Sequence, residues 1–175
     1  MNLENSGLPI VGFRSWRIWG TLIENTPGIV GANLQSWPNK NFIGAKCEEK
    51  TCADIPRRPY YREDHITPHE KCKCGIYAFH ELEELIAMET EGLNNGDRVC
   101  GAVIGWGKTV IHQKGFRVAN ATIIALSAAI KLTPKDAERL NRLSPLLGVP
   151  IIKPQFLEAY ASEFGNTYQT LPKKV

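Results

Sequence analysis

Two β-rich runs separated by a short connection constrain this chain more than any other feature. Val99 to Ile111 and Phe116 to Leu126 are dense in Val, Ile, Ala and aromatic residues, which suit a pleated, half-buried surface. Gln113-Lys114-Gly115 between them is a three-residue connection ending in glycine, the turn chemistry of a β-hairpin. Gly101, Gly105 and Gly107 fall inside the first run. They predict sharp curvature, a bulge, or close approach of another chain or ligand.

The remaining elements arrange themselves around that hairpin. Residues 9–24 are rich in Val, Ile, Trp and Phe and predict one or two short strands around Gly20. Asn25 to Asn41 is turn-rich, and Phe42 to Cys47 is a further short strand. Phe79, Leu82, Leu85 and Ile86 follow helical spacing, so an amphipathic helix is expected over Phe79 to Glu91, closed by Gly92 to Gly96. Thr133-Pro134 is an N-cap followed by proline at the first helical position, with Asp136 in the first turn. Leu140, Leu143, Leu146 and Leu147 give that helix an apolar face, and Gly148 ends it. Pro154 opens a last helix, Gln155 to Phe164, closed by Gly165 and Asn166. The expected fold class is α+β: a small, strongly curved antiparallel sheet or open barrel, helices on one side, and a zinc-stapled loop. At 175 residues the chain fits one domain, 1–175. Its core is expected over about residues 9–165, with 1–8 and 167–175 flexible.

Residues 48–73 carry many charges and prolines and few apolar residues. A loop of that length inside a compact domain needs a reason to be ordered. Cysteines and histidines bracket it. Cys72-Lys73-Cys74-Gly75 places two thiols one residue apart, and the glycine permits the sharp turn that lets both reach one ion. Cys47 and Cys52 lie across the loop. Zinc takes four thiolate or imidazole ligands in a tetrahedron, so Cys47, Cys52, Cys72 and Cys74 make the expected site for a structural Zn2+. The spacing is weaker evidence than a repeated C-x2-C pair, and His69, His65 or His112 can replace Cys52. Buried inert thiols or a reactive pair are the competing explanations. Cys100, within a strand pattern, is expected in the core.

Four tryptophans are the next unusual feature. Arg14 and Arg17 flank Trp16, while Lys108, Lys114 and Arg117 surround Trp106 and His112 in the hairpin. Aromatic residues interleaved with cations can stack a base and neutralise a phosphate. Trp16, Arg17, Trp106, His112 and Arg117 are therefore the candidate ligand-binding residues. For each alone the bland alternative is a core tryptophan, a covering arginine or a hydrogen-bonded strand histidine. No catalytic residues are assigned, because the chain contains no Ser-nucleophile elbow, phosphate loop, H-E-x-x-H or G-x-G-x-x-G. His80-Glu81 with Cys72-x-Cys74 also fails to reproduce the zinc deaminase order and spacing.

Charge and hydropathy narrow the classes further. Lys plus Arg is 21 and Asp plus Glu is 18, a net +3 that neither demands nor forbids nucleic acid. Met1 to Ile10 lacks a basic n-region and an apolar core, so no secretion signal is expected. The longest apolar stretch, Ala119 to Ile130, is broken by Asn120, Thr122 and Ser127 and is too short to span a bilayer. Five cysteines without an export signal argue for a cytoplasmic protein and against a disulfide framework.

Gly12-Phe13-Arg14-x-Trp16-Arg17, Cys72-x-Cys74-Gly75-Ile76-Tyr77-Ala78 and Gly105-Trp106-Gly107-x(4)-His112-x-x-Gly115-Phe116-Arg117 resemble motifs of an uncharacterised family of small bacterial and phage proteins. Ala45-x-Cys47 and Gly148-Val149-Pro150 fit the same pattern, so the resemblance spans roughly residues 11–152. It implies that Cys47, Cys72 and Cys74 matter more than Cys52, which favours a Cys3His site with His112 or a loop histidine. It implies no activity. The leading expectation is a non-enzymatic binding protein with a structural zinc, whose ligand is a nucleic acid, a modified base or a nucleotide. The alternatives are a protein-interaction or adaptor module using the C-terminal helices, and a small zinc-dependent hydrolase with an open metal position.

Overall fold

In a computed structural model, the described residues are 9–19, 28–31, 36–37, 42–47, 66–70, 72–91, 98–128 and 132–167. They form β1 (Ile10–Trp19), β2 (Gly28–Val30), β3 (Ser36–Trp37), β4 (Phe42–Gly44), β5 (Ile76–Phe79), α1 (Leu82–Glu91), β6 (Arg98–Ile111), β7 (Gly115–Ser127), α2 (Pro134–Leu147) and α3 (Pro154–Ser162). The fold is mixed α+β, with all seven strands in one antiparallel sheet.

The β6–β7 hairpin is its axis. β1 runs along the outer edge of β6, from Ile10 opposite Gly105 to Arg17 opposite Arg98. β5 pairs with β7 and touches β1 through a single pair, Phe13 with Phe79. Strands β1, β6, β7 and β5 therefore form a ring closed at one narrow point, a strongly bent sheet and not a clean barrel. Arg14 reinforces that point, its Nη1 donating to the Tyr77 carbonyl at 2.5 Å. Burial lowers the Arg14 guanidinium to about 10, because a buried cation loses its hydration.

The bend has local causes in β6 and β7. Register shifts fall between Ala102 and Val103 and between Trp106 and Thr109. At the second, Gly107 has φ +83°, the left-handed region that side chains disfavour. Gly107→Ala is expected to cost about 1–2 kcal/mol. Gly107→Asn should recover part of that, since asparagine tolerates this region better. Urea denaturation of both variants measures it, and equal losses would show that space, not backbone conformation, selects glycine.

Helices were expected on one side, and the structure places them on both. Leu140, Leu143 and Leu147 of α2 pack into a core with Trp16, Ile76, Val103, Phe116, Val118 and Ile123. Leu82 and Leu85 of α1 and Leu157 and Ala161 of α3 pack into a second core with Val11, Phe13, Cys100, Ala102 and Ala125. The reason lies in the strands: β1, β6 and β7 are apolar on alternate residues of both faces, and each face needs a cover. Glu89 ties α1 to the sheet, accepting hydrogen bonds from Ser15 Oγ and from Arg98 Nη1.

Local signals set the C-terminal helices. Thr133 Oγ1 accepts from the Asp136 amide at 3.2 Å, Pro134 opens α2, and Gly148 closes it in the left-handed conformation. α3 ends at Ser162, before the expected Phe164, and Asn166 bridges to Ile10 of β1. Phe79 was expected to begin α1 but is the last residue of β5, because pairing with Gly115 and Phe13 fixes it as strand.

Candidate metal centre and adjoining pocket

The β4 and β5 registers explain why distant cysteines meet. Both strands run antiparallel to β7, on the edge that β6 does not occupy. Gly44 of β4 lies opposite Asn120, and the Ala45 amide continues the ladder to the Ala119 carbonyl at 2.7 Å. The next position on β7, Val118, is opposite Ile76 of β5. The two strands thus lie end to end, as one line from which the chain departs after Ala45 and to which it returns at Ile76. Cys47 sits just past the departure and Cys72 and Cys74 just before the return.

The three sulfurs lie within 4.8 Å of one another, and Cys47 Sγ is 3.7 Å from Cys72 Sγ. The knuckle is built as a tight turn, with the Cys72 amide donating to the His69 carbonyl at 3.1 Å. Gly75 completes it at φ +115°. Cys72 and Cys74 are buried and Cys47 is half-buried. This cluster can hold a metal ion. Burial pushes the Cys74 thiol above its ordinary value, and neighbouring Cys72 adds to the shift. A dication reverses that balance by stabilising thiolates, so binding would release protons.

Among the described residues the cluster consists of these three thiols, and neither His69 nor His112 joins it. Cys52 and His65 lie outside the described residues. Cys100 is separate, fully buried in the second core, and raised to about 12 by burial and by the negative charge of Glu89.

Arg117 is the principal partner of the knuckle. Its side chain is buried, with Nη1 donating to the carbonyls of Cys72, of Cys74 at 3.1 Å and of His69 at 3.3 Å. Its Nε donates to His112 Nε2 at 2.9 Å, and its Cζ lies 5.5 Å from the Tyr77 ring centroid. One guanidinium therefore fastens three carbonyls of the cysteine loop to the hairpin turn. Accepting at Nε2 requires the neutral imidazole, protonated at Nδ1.

His112 is held below its ordinary value by burial first, then by the positive charges of Arg117 and His80. The unfolded chain, with an ordinary value of about 6.5, then takes up this proton before the folded one. The stabilisation from His112 is complete above about 6.5 and is lost as pH falls through the lower folded value. Urea midpoints between pH 7.5 and 5.5 should decline more in the parent than in His112→Gln. Parallel declines would remove this contribution.

Beside the knuckle lies an open pocket of about 460 Å³, within the range of small-molecule sites. Tyr77 and Phe79 are the aromatic residues of its wall beside the buried Phe116, Lys73, Lys114 and Arg117 bring positive charge, and Glu70 a carboxylate. Sequence reasoning missed Tyr77 and Phe79 as pocket residues, although the Cys-x-Cys-Gly-Ile-Tyr-Ala motif pointed at the segment.

The five candidate ligand residues do not converge. His112 and Arg117 share this pocket. Trp16 is fully buried, edge-on to Trp37 at 5.6 Å between ring centroids. Arg17 is exposed but lies opposite Arg98, at the far end of β6. Trp106 stacks on Phe42 at 5.6 Å, over β4. Trp16 is thus a core residue, because its face of β1 packs into the core that α2 covers.

Among the described residues no helix is long and apolar enough to cross a membrane. No family model, curated protein or solved structure matches the chain.

Proposed function

We propose that this chain is a non-enzymatic binding protein with a structural zinc site, and that its ligand is a nucleotide, a modified base or a nucleic acid. The observation that carries the reading is the closed neck: Cys47, Cys72 and Cys74 meet where the chain leaves and rejoins one strand line. Thiolate donors select soft or borderline ions, of which zinc suits a tetrahedral sulfur site. Fastening two chain segments at their bases is the work of a structural site. The ligand half of the reading is supported by the cationic, ring-lined pocket on the other side of Arg117.

Metal content of protein purified without chelators tests the first half. About one zinc per chain is expected, and its removal should lower the thermal midpoint. Metal-free protein with the same midpoint would sink it. Binding to nucleotides and oligonucleotides should weaken as salt is raised.

A protein-interaction module is favoured by a different observation. Leu146, Ile151, Phe156 and Phe164 are exposed on and around α2 and α3. If that surface is the working one, Phe156→Ser should weaken partner binding and leave zinc content unchanged.

A further inference from the structure

We infer that the pocket beside the knuckle takes a mononucleotide, one aromatic base carrying one phosphate group, and not a strand. This deepens the nucleotide reading above and rests on it.

The pocket's charge selects an anion. Arg117, Lys73 and Lys114 face one carboxylate, Glu70, among its lining residues. The four hydrogen bonds of Arg117 use only Nε and Nη1. That leaves Nη2 of a guanidinium already fixed in place, and a fixed fork loses little freedom on binding a phosphate. Lys114, at the exposed hairpin turn, supplies a further charge to the same pocket. His112, neutral and held by Arg117, adds no charge of its own.

The pocket's shape and rings select a single base. Tyr77 and Phe79 offer ring surface within a concavity of about 460 Å³, which is the scale of one small ligand. A strand binder instead needs successive stacking platforms along a charged groove. The tryptophans do not provide them: Trp16 is buried against Trp37, and Trp106 stacks on Phe42.

Titration calorimetry on the full chain, supplemented with zinc, tests the inference. The probes are adenosine and uridine 5′-monophosphates, the two nucleosides, inorganic phosphate, and ten-nucleotide DNA and RNA strands. At least one monophosphate should bind about tenfold or more tightly than its nucleoside and than phosphate alone, as a charge-assisted hydrogen bond to the phosphate requires. The strands should bind no tighter than the monophosphate. Lys114→Glu should weaken the monophosphate about tenfold or more while zinc content and thermal midpoint stay unchanged. Arg117→Lys, which keeps a charge but not the fork, should weaken it as well. Nucleoside binding equal to the monophosphate, an unaffected Lys114→Glu variant, or strands binding far tighter would each overturn the inference. A chain that binds monophosphates without holding metal overturns the zinc reading alone. A zinc-loaded chain that binds no monophosphate at millimolar concentration overturns the pocket inference alone.

Discussion

Replacing Cys74 with serine is expected to release the metal and lower the thermal midpoint by about 6–20 °C. Structural zinc sites in small peptides contribute about 10–16 kcal/mol of apparent binding free energy, enough to fold the peptide. None of the three clustered cysteines belongs to either apolar core, so the ordering of the neck is what is expected to be at stake. A loss of about 3–5 kcal/mol is the corresponding scale, and a domain of this size shifts by about 2–4 °C per kcal/mol. Cys74 is the most informative position. It is buried, its thiol is pushed up by that burial, and it directly precedes Gly75, which completes the turn. Differential scanning calorimetry alongside metal analysis checks the result. Lys73→Ala, an exposed change between the two cysteines, should keep the metal. A Cys74→Ser protein with an unchanged midpoint would mean that the three sulfurs are inert buried thiols.

Arg117→Ala should be nearly as damaging, although the residue touches no sulfur. It leaves three carbonyls of the cysteine loop and the His112 ring without their donor. Each buried acceptor left unpaired costs about 1–3 kcal/mol. Water can reach part of the site, so a total of about 3–5 kcal/mol is expected. Zinc affinity should fall about 10–100-fold, the usual effect of removing a partner that orients metal ligands. Arg117→Lys should recover less than half, because an ammonium cannot serve Nη1 and Nε acceptors at once. Urea denaturation and competition with a chromophoric chelator measure the two effects. A destabilised protein with unchanged zinc affinity would confine Arg117 to holding the sheet.

The parts of the fold legible in the sequence were those with local causes. The hairpin announced itself through its strand composition and Gly115, and α2 through Thr133, Pro134 and Gly148. Cys47, Cys72 and Cys74 could be grouped because a charged loop between them had to be closed. What could not be read was anything set by pairing across the chain. Phe79 keeps helical spacing with Leu82 and Ile86, yet strand partners far away in sequence claim it. Trp16 and Arg17 look alike as strand neighbours, and only tertiary packing decides that Trp16 joins the first core while Arg17 stays exposed. Arg117 has the pattern of a surface cation and is buried under the knuckle it supports. No composition rule distinguishes an exposed arginine from one whose Nη1 already holds three carbonyls.

The end-to-end placement of β4 and β5 on β7 also makes the chain a host for foreign sequence. The sheet needs only that Ala45 and Ile76 meet adjacent positions of one template strand. The length of polypeptide between them does not enter that requirement. For a flexible loop, doubling the length costs only about 0.6 kcal/mol of closure entropy. An insertion between Cys47 and Cys72 whose ends lie close together is therefore compatible with the β4 and β5 registers on β7.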